Sequence, residues 1–211
     1  MIHLIHHGIV LFLVVVFPIW DYFETRLLKT RRHPSIRLHS YFKTMAWQIA
    51  FVALIVATMP GSEWITPPPL HIENSHGIVT VPRFHPVIIA LIVVGFTSLI
   101  LPFALSRFIP ELKEEEQKRY NEIAFFLPQT PLERRWFVVL SLAVGVCEEI
   151  IFRGFLIRYF MAAPFHFSVV PAVLASAFVF GIDHGYQGWQ GMLTTTFFAL
   201  VLTAIYFAAG N

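Results

Sequence analysis

The stretch WFVVLSLAVGVCEEIIFRGFLIRYF, residues 136–160, decides how this chain is read. At about 1.5 Å per residue it is long enough to cross the roughly 30 Å hydrocarbon core of a bilayer as one helix. Yet its middle holds two adjacent carboxylates, Glu148 and Glu149, with Arg153 one turn further on. Charge inside hydrocarbon is costly, so ionisable residues there mark a functional site.

The rest of the sequence agrees with a membrane setting. Of 211 residues, 56% are hydrophobic and only 13% charged, and 22 are Phe. Soluble globular domains carry about 25% charged residues. Six apolar runs follow one another: Ile2 to Phe23, Thr44 to Pro60, Pro86 to Leu105, Trp136 to Phe160, His166 to Ile182 and Met192 to Ala209. Backbone polar groups must be satisfied internally in lipid, so the expected fold is an all-α polytopic bundle of about six transmembrane helices. The second and fifth runs are short, which calls for tilt or local thinning. The first run lacks a basic n-region and a cleavage site, and reads as a retained helix rather than a secretory signal. A net charge of +2 and the absence of a nucleic-acid module exclude nucleic acid as a partner. Cys147 is the single cysteine, so no intrachain disulfide forms, and packing is its expected role.

Charge sets the orientation. The first connection holds Arg26, Lys29, Arg31, Arg32, Arg37 and Lys43; the third holds Arg107, Lys113, Lys118, Arg119, Arg134 and Arg135; the second holds only Arg83. The positive-inside rule makes the first and third connections cytoplasmic and puts the N-terminus outside. Acids including Glu111, Glu114 and Glu133 alternate with bases in the third connection, which predicts a solvated surface helix. Pro67, Pro68 and Pro69 forbid helix in the second and favour an extended stretch. The histidines His71, His76 and His85 share no helical face, and His3, His6 and His7 read as interfacial anchors rather than metal ligands.

On a helix, Glu149 and Arg153 meet at a spacing of four, whereas Glu148 lies about 100° round and needs a different partner or water. Glu148 sits about 18 Å along the helix from Trp136, among apolar neighbours such as Phe152 and Phe155 that suit a carboxylate to act as a base. The next run closes on Phe180-Gly181-Ile182-Asp183-His184, bringing His184 back toward Glu148. A Glu and a His around one water describe a hydrolase, with Glu148 taking the proton and His184 orienting the water or donating to an oxyanion. His184 is nearer the helix end than Glu148, so a tilted helix or a cytoplasm-facing cavity is required. Asp183 is expected to be solvated. A structural ion pair in a bundle, transport through a polar bundle centre, and ligation of a divalent metal by Glu148 and Asp183 are alternative readings.

Together these residues resemble the CPBP family of intramembrane endopeptidases, which includes CAAX prenyl proteases, bacteriocin-processing enzymes and Abi-like proteins. The first motif of that family, a Glu pair, three residues and Arg, stands as Glu148 to Arg153 followed by Gly154; the second, Phe, three residues and His, stands as Phe180 to His184. Pro131-Leu132-Glu133-Arg134 and the Gly188 to Gly191 segment also fit. The resemblance spans 127–211, leaving 1–126 as N-terminal transmembrane helices and a cytoplasmic connection.

The resemblance implies metal-free glutamate-type hydrolysis of peptide bonds in membrane-associated or prenylated CAAX-type substrates. Glu148 would activate water, Glu149 and Arg153 would shape the site, and His184 would assist. Phe152 and Phe180 would contact substrate. No cofactor is implied, and the expected partners are a membrane-associated peptide or protein and the bilayer, in the bacterial plasma membrane. The family's third motif, a His followed four residues later by Asn or Asp, lies beyond the last run here. The expectation is therefore a truncated chain, with an impaired, peptide-binding family member of the immunity type as the alternative.

Overall fold

The computed structural model describes residues 2–30, 34–69, 71–74, 77–80, 85–162 and 164–209. Arg31, Arg32, His76, Arg83 and the terminal Gly210-Asn211, on which readings above rest, lie outside them. Among the described residues, six helical segments coincide with the six apolar runs: α1 (Ile2–Thr30), α2 (Pro34–Thr58), α3 (Pro86–Leu105), α5 (131–161), α6 (Val169–Ile182) and α7 (Gly188–Ala209). Between α3 and α5 lies α4 (Pro110–Ile123), a polar helix with no buried residue. The chain is a polytopic helical membrane bundle: α1, α2, α3 and α7 are each long and apolar enough to cross a bilayer, and α6 is a shorter apolar helix.

Local sequence sets the boundaries. Pro34, Pro86, Pro110 and Pro131 each open a helix, where the missing N–H costs nothing and the fixed φ is already helical. In α1 a π-helical stretch, Phe12–Val16, precedes Pro18, and Phe17 N–H donates to Phe12 O. The wider turn gives the proline ring the room an α-helical turn denies it. The connection between α1 and α2 is much shorter than the apolar runs suggest, because both helices continue through polar sequence to Thr30 and from Pro34. α2 is therefore not short; α6 is. The connection between α2 and α3 adds an antiparallel hairpin, β1 (His71–Asn74) with β2 (Gly77–Thr80), in register His71 with Thr80.

α6 packs on α7, α7 on α3, and α2 on α5. The main core gathers around α5 and α6, with Ile150, Ile151, Phe155, Leu156, Ala172 and Phe180 buried. Large apolar side chains such as Leu142, Val146, Phe178 and Leu193 point outward. Such an outer surface suits lipid rather than water.

At the α2–α5 contact, Arg37 and Glu133 are 1% and 0% exposed. Arg37 Nε donates to Glu133 Oε1 at 2.9 Å, and Nη2 donates to Gln129 Oε1 at 3.3 Å. Glu133 Oε2 accepts the backbone N–H of Gln129 and Thr130, both at 2.8 Å, while Thr130 Oγ1 accepts Glu133 N–H. This capping box starts α5 and also carries an interhelical ion pair. The expectation of a solvated charge run therefore fails at Glu133, because this acid faces Arg37 and not water. Tyr41, next on α2, donates to Phe126 O at 2.6 Å and extends the same contact.

At the opposite end of α5, Arg158 donates to the carbonyls of Glu63 and Thr66 at 2.8 and 2.9 Å. That holds the 60–66 turn against Gly154, where a Cβ would lie 1.9 Å from Trp64 O. Two expectations follow. Glu133→Ala, which leaves Arg37 buried and unpaired, should cost about 3–5 kcal/mol, read as a large fall in thermal midpoint in detergent, with Arg37→Met in the same chain recovering part of it. Gly154→Ala should cost about 1–3 kcal/mol despite the better helix propensity of Ala, because a backbone carbonyl cannot yield as a side chain can.

Candidate functional site

The acid pair falls where α5 changes geometry. The α-helical part ends at Glu148 and a π-helical stretch runs over Glu149–Leu156. π-helical turns occur in short pieces and often at functional sites. Every residue from Ile150 to Leu156 is buried, so the segment is enclosed on all sides rather than presenting one face. Ser176 of α6 donates to Phe152 O at 2.6 Å, supporting a carbonyl of the widened turns.

Within this segment the two carboxylates part company. Glu149 Oε1 lies 3.3 Å from Arg153 Nη1, and the Glu149 side chain is 42% exposed while that of Arg153 is 1% exposed. The Arg153 guanidinium sits over the Phe180 ring at 4.8 Å. Neither Nη1 nor Nη2 makes an aligned hydrogen bond among the described residues, so charge and ring contact hold the group. Glu148 instead lines a cavity of about 290 Å³, as does Gln48 of α2.

His184 lines the same cavity. Its Nδ1 is 2.8 Å from Phe180 O, a group that only accepts, so Nδ1 carries the hydrogen. In a neutral ring that leaves Nε2 as an acceptor, able to receive a hydrogen from water. Donation to an oxyanion would require a second proton on the ring. The ring rests on Phe180, with centroids 4.6 Å apart, and Phe180 meets Phe152 edge-on at 4.8 Å. Phe152 lines the cavity, and Phe180 stands between Arg153, Phe152 and His184.

The depth difference between Glu148 and His184 is bridged by the cavity itself. It runs from Glu148 toward the end of the bundle where α1 meets α2, lined there by Asp21, Glu24 and Lys43. Glu24 pairs with Lys43 and accepts from Ser40 Oγ at 2.8 Å, and Lys43 lies over the Trp20 ring at 4.3 Å. Asp21, Thr25 and Tyr186 border both this cavity and an outer cleft of about 980 Å³ lined by Arg26, Lys29 and Lys118. The cleft lies beside the cavity at the end of the bundle that carries Arg26, Lys29 and Lys118.

Sequence reasoning missed several of these residues. Asp183 is not solvated: it is 6% exposed, lines the cavity, and its Oδ1 has no partner among the described residues. Tyr186 also lines the cavity and accepts from Gln187 Nε2 at 2.9 Å, keeping its own O–H for another acceptor. Gln48 had a signal, as the lone amide in the apolar part of α2. No group of three or more His, Cys, Asp or Glu among the described residues is arranged to hold a metal ion. Of the N-terminal histidines, His6 reaches Thr58 Oγ1 at 2.9 Å and His7 reaches the Tyr159 hydroxyl at 2.7 Å, tying α1 to α2 and α5.

No curated protein and no solved structure shows significant similarity to the chain. Residues 130–211, which hold α5, α6, α7 and both Glu148 and His184, match the family model described as type II CAAX prenyl endopeptidase Rce1-like, consistent with a CPBP family member.

Proposed function

We propose that this membrane protein is an endopeptidase that hydrolyses peptide bonds of prenylated, CAAX-type or other membrane-associated substrates, using water activated by Glu148. The family match supports a CAAX-type intramembrane protease role in general. The observation that carries the finer reading is the shared cavity: Glu148 on α5 and His184 in the turn after α6 line one space, and the Phe180 carbonyl anchors the His184 ring.

In the proposed reaction a water lies between the Glu148 carboxylate and His184 Nε2. Glu148 takes one proton as the water oxygen attacks the scissile carbonyl, and His184 Nε2 accepts the hydrogen bond of the second O–H. The proton then passes from Glu148 to the leaving nitrogen, the C–N bond breaks, and a carboxylic acid and an amine are released. Arg153 and Glu149 stay outside the cavity lining and act as a neutral strut. Arg153 holds the Phe180 ring, whose own carbonyl fixes His184. Apolar walls, with Phe152 and Trp47 among them, suit a lipidated or hydrophobic substrate segment, and the outer cleft is its route from the cytoplasmic side.

A farnesylated, internally quenched CAAX peptide presented in detergent micelles tests this. The full gene product should cleave it, Glu148→Gln should lower kcat by about 10²–10⁴-fold with the fold intact, and His184→Ala should lower kcat by at least tenfold. Unchanged kcat in Glu148→Gln would overturn the reading.

A further inference from the structure

Asp183 is the residue on which α6 ends, and its backbone N–H donates to Val179 O at 3.0 Å. Helix stability does not explain an acid there, because a carboxylate at a helix C-terminus faces the negative end of the helix dipole. Solvation does not explain it either. The residue is 6% exposed, it lines the cavity that holds Glu148 and His184, and its Oδ1 is enclosed with no hydrogen-bond partner among the described residues. Burying a carboxylate without a partner is costly, so its place calls for a partner that the cavity admits.

The protein itself supplies none. Among the described residues lining the cavity, Lys43 is the one Lys or Arg, and Glu24 already pairs with it. Arg153 lies outside the lining and is held by Glu149 and the Phe180 ring. Asp21, Glu148 and Asp183 therefore line one space with no ion-pair partner, beside a His184 ring that is neutral in the tautomer its Phe180 contact selects. The chemistry that complements this surplus of carboxyls is a cation. A metal ion is not favoured, since no three potential ligands among the described residues converge on one point.

The same cavity shows how it receives an organic cation. The Lys43 ammonium is held by the Glu24 carboxylate and lies over the Trp20 ring at 4.3 Å, an ion pair and a cation–π contact together. Trp47 and Phe51 add further ring surface to the walls. The geometry points to a cation subsite in which Asp183 receives the ammonium or guanidinium of a lysine or arginine side chain of the peptide substrate. The inference rests on the proposed hydrolase reading for the nature of that ligand. Asp183 and His184 are consecutive, with Cα atoms about 3.8 Å apart, so the basic residue would lie within a residue or two of the scissile bond. Asp183 sets specificity and takes no part in bond making or breaking.

The test compares farnesylated quenched peptides that differ only in lysine or norleucine, an uncharged side chain of similar length. The variable position is placed in turn just before the farnesylated cysteine and at each of the two residues after it. The full gene product should cleave the lysine peptide with a kcat/KM about 10–100-fold above its norleucine counterpart at one of these positions, and Asp183→Asn should bring that ratio to within twofold of one. Both peptides meet the same enzyme, so a smaller folded fraction or a general loss of catalysis cancels from the ratio. A purely structural Asp183 would leave the ratio at its wild-type value, which overturns the subsite. Cleavage with no preference for lysine at any position also overturns it and leaves the hydrolase reading standing. Binding of the same peptides to Glu148→Gln, read by fluorescence anisotropy, separates the two readings. Lysine-selective binding that is lost in Asp183→Asn/Glu148→Gln, with no cleavage by the wild-type chain, supports the subsite and overturns the hydrolase reading.

Discussion

The buried ion pair between Arg37 and Glu133 is the constraint from which the site is built. It joins α2 to α5 and, because the same Glu133 completes the capping box with Thr130, it also fixes where α5 begins. A helix with a fixed first turn has a fixed phase through its α-helical part, which here runs to Glu148. Glu148 is thereby aimed at the cavity, and Glu149, where the π-helical stretch begins, lies outside its lining. Replacing such a pair with apolar residues is often neutral for stability, whereas leaving one partner alone is not. What the pair supplies is specificity, since it selects one start and one neighbour for the helix that carries the acids.

The π-helical stretch then separates the two acids by role. Glu149 and Arg153 compensate each other away from the cavity lining, while Glu148 lines the cavity. Had Arg153 faced the cavity, it would have neutralised the base. Had Glu148 faced lipid, it would have carried an uncompensated charge. Gly154, which admits the Trp64 carbonyl, and Ser176, which bonds Phe152 O, are the accommodations this geometry requires on either side.

Most of the architecture was legible in the sequence because membrane helices announce themselves by length and hydropathy. The spacing of Glu149 and Arg153 was equally legible, as it depends only on helix geometry. What escaped notice were polar residues whose meaning depends on a distant neighbour. Arg37 and Glu133 looked like topogenic and surface charges, since nothing in a linear pattern tells a solvated ion from one buried against a partner 96 positions away. Asp183 looked like a helix-end acid. The π-helical segment had no sequence signature, because the same residues suit an α-helix.

The account stands or falls on whether water, held by Glu148, is the attacking group. The direct measurement is a single turnover of the farnesylated peptide in ¹⁸O-water, with mass spectrometry of both the product and the Glu148-containing fragment of the enzyme. Water activation predicts one solvent oxygen in the new product carboxylate and none in Glu148. A first-turnover product carrying the unlabelled oxygen of Glu148, with label appearing on that side chain, would show direct attack by the carboxylate and contradict the account, as would absence of cleavage.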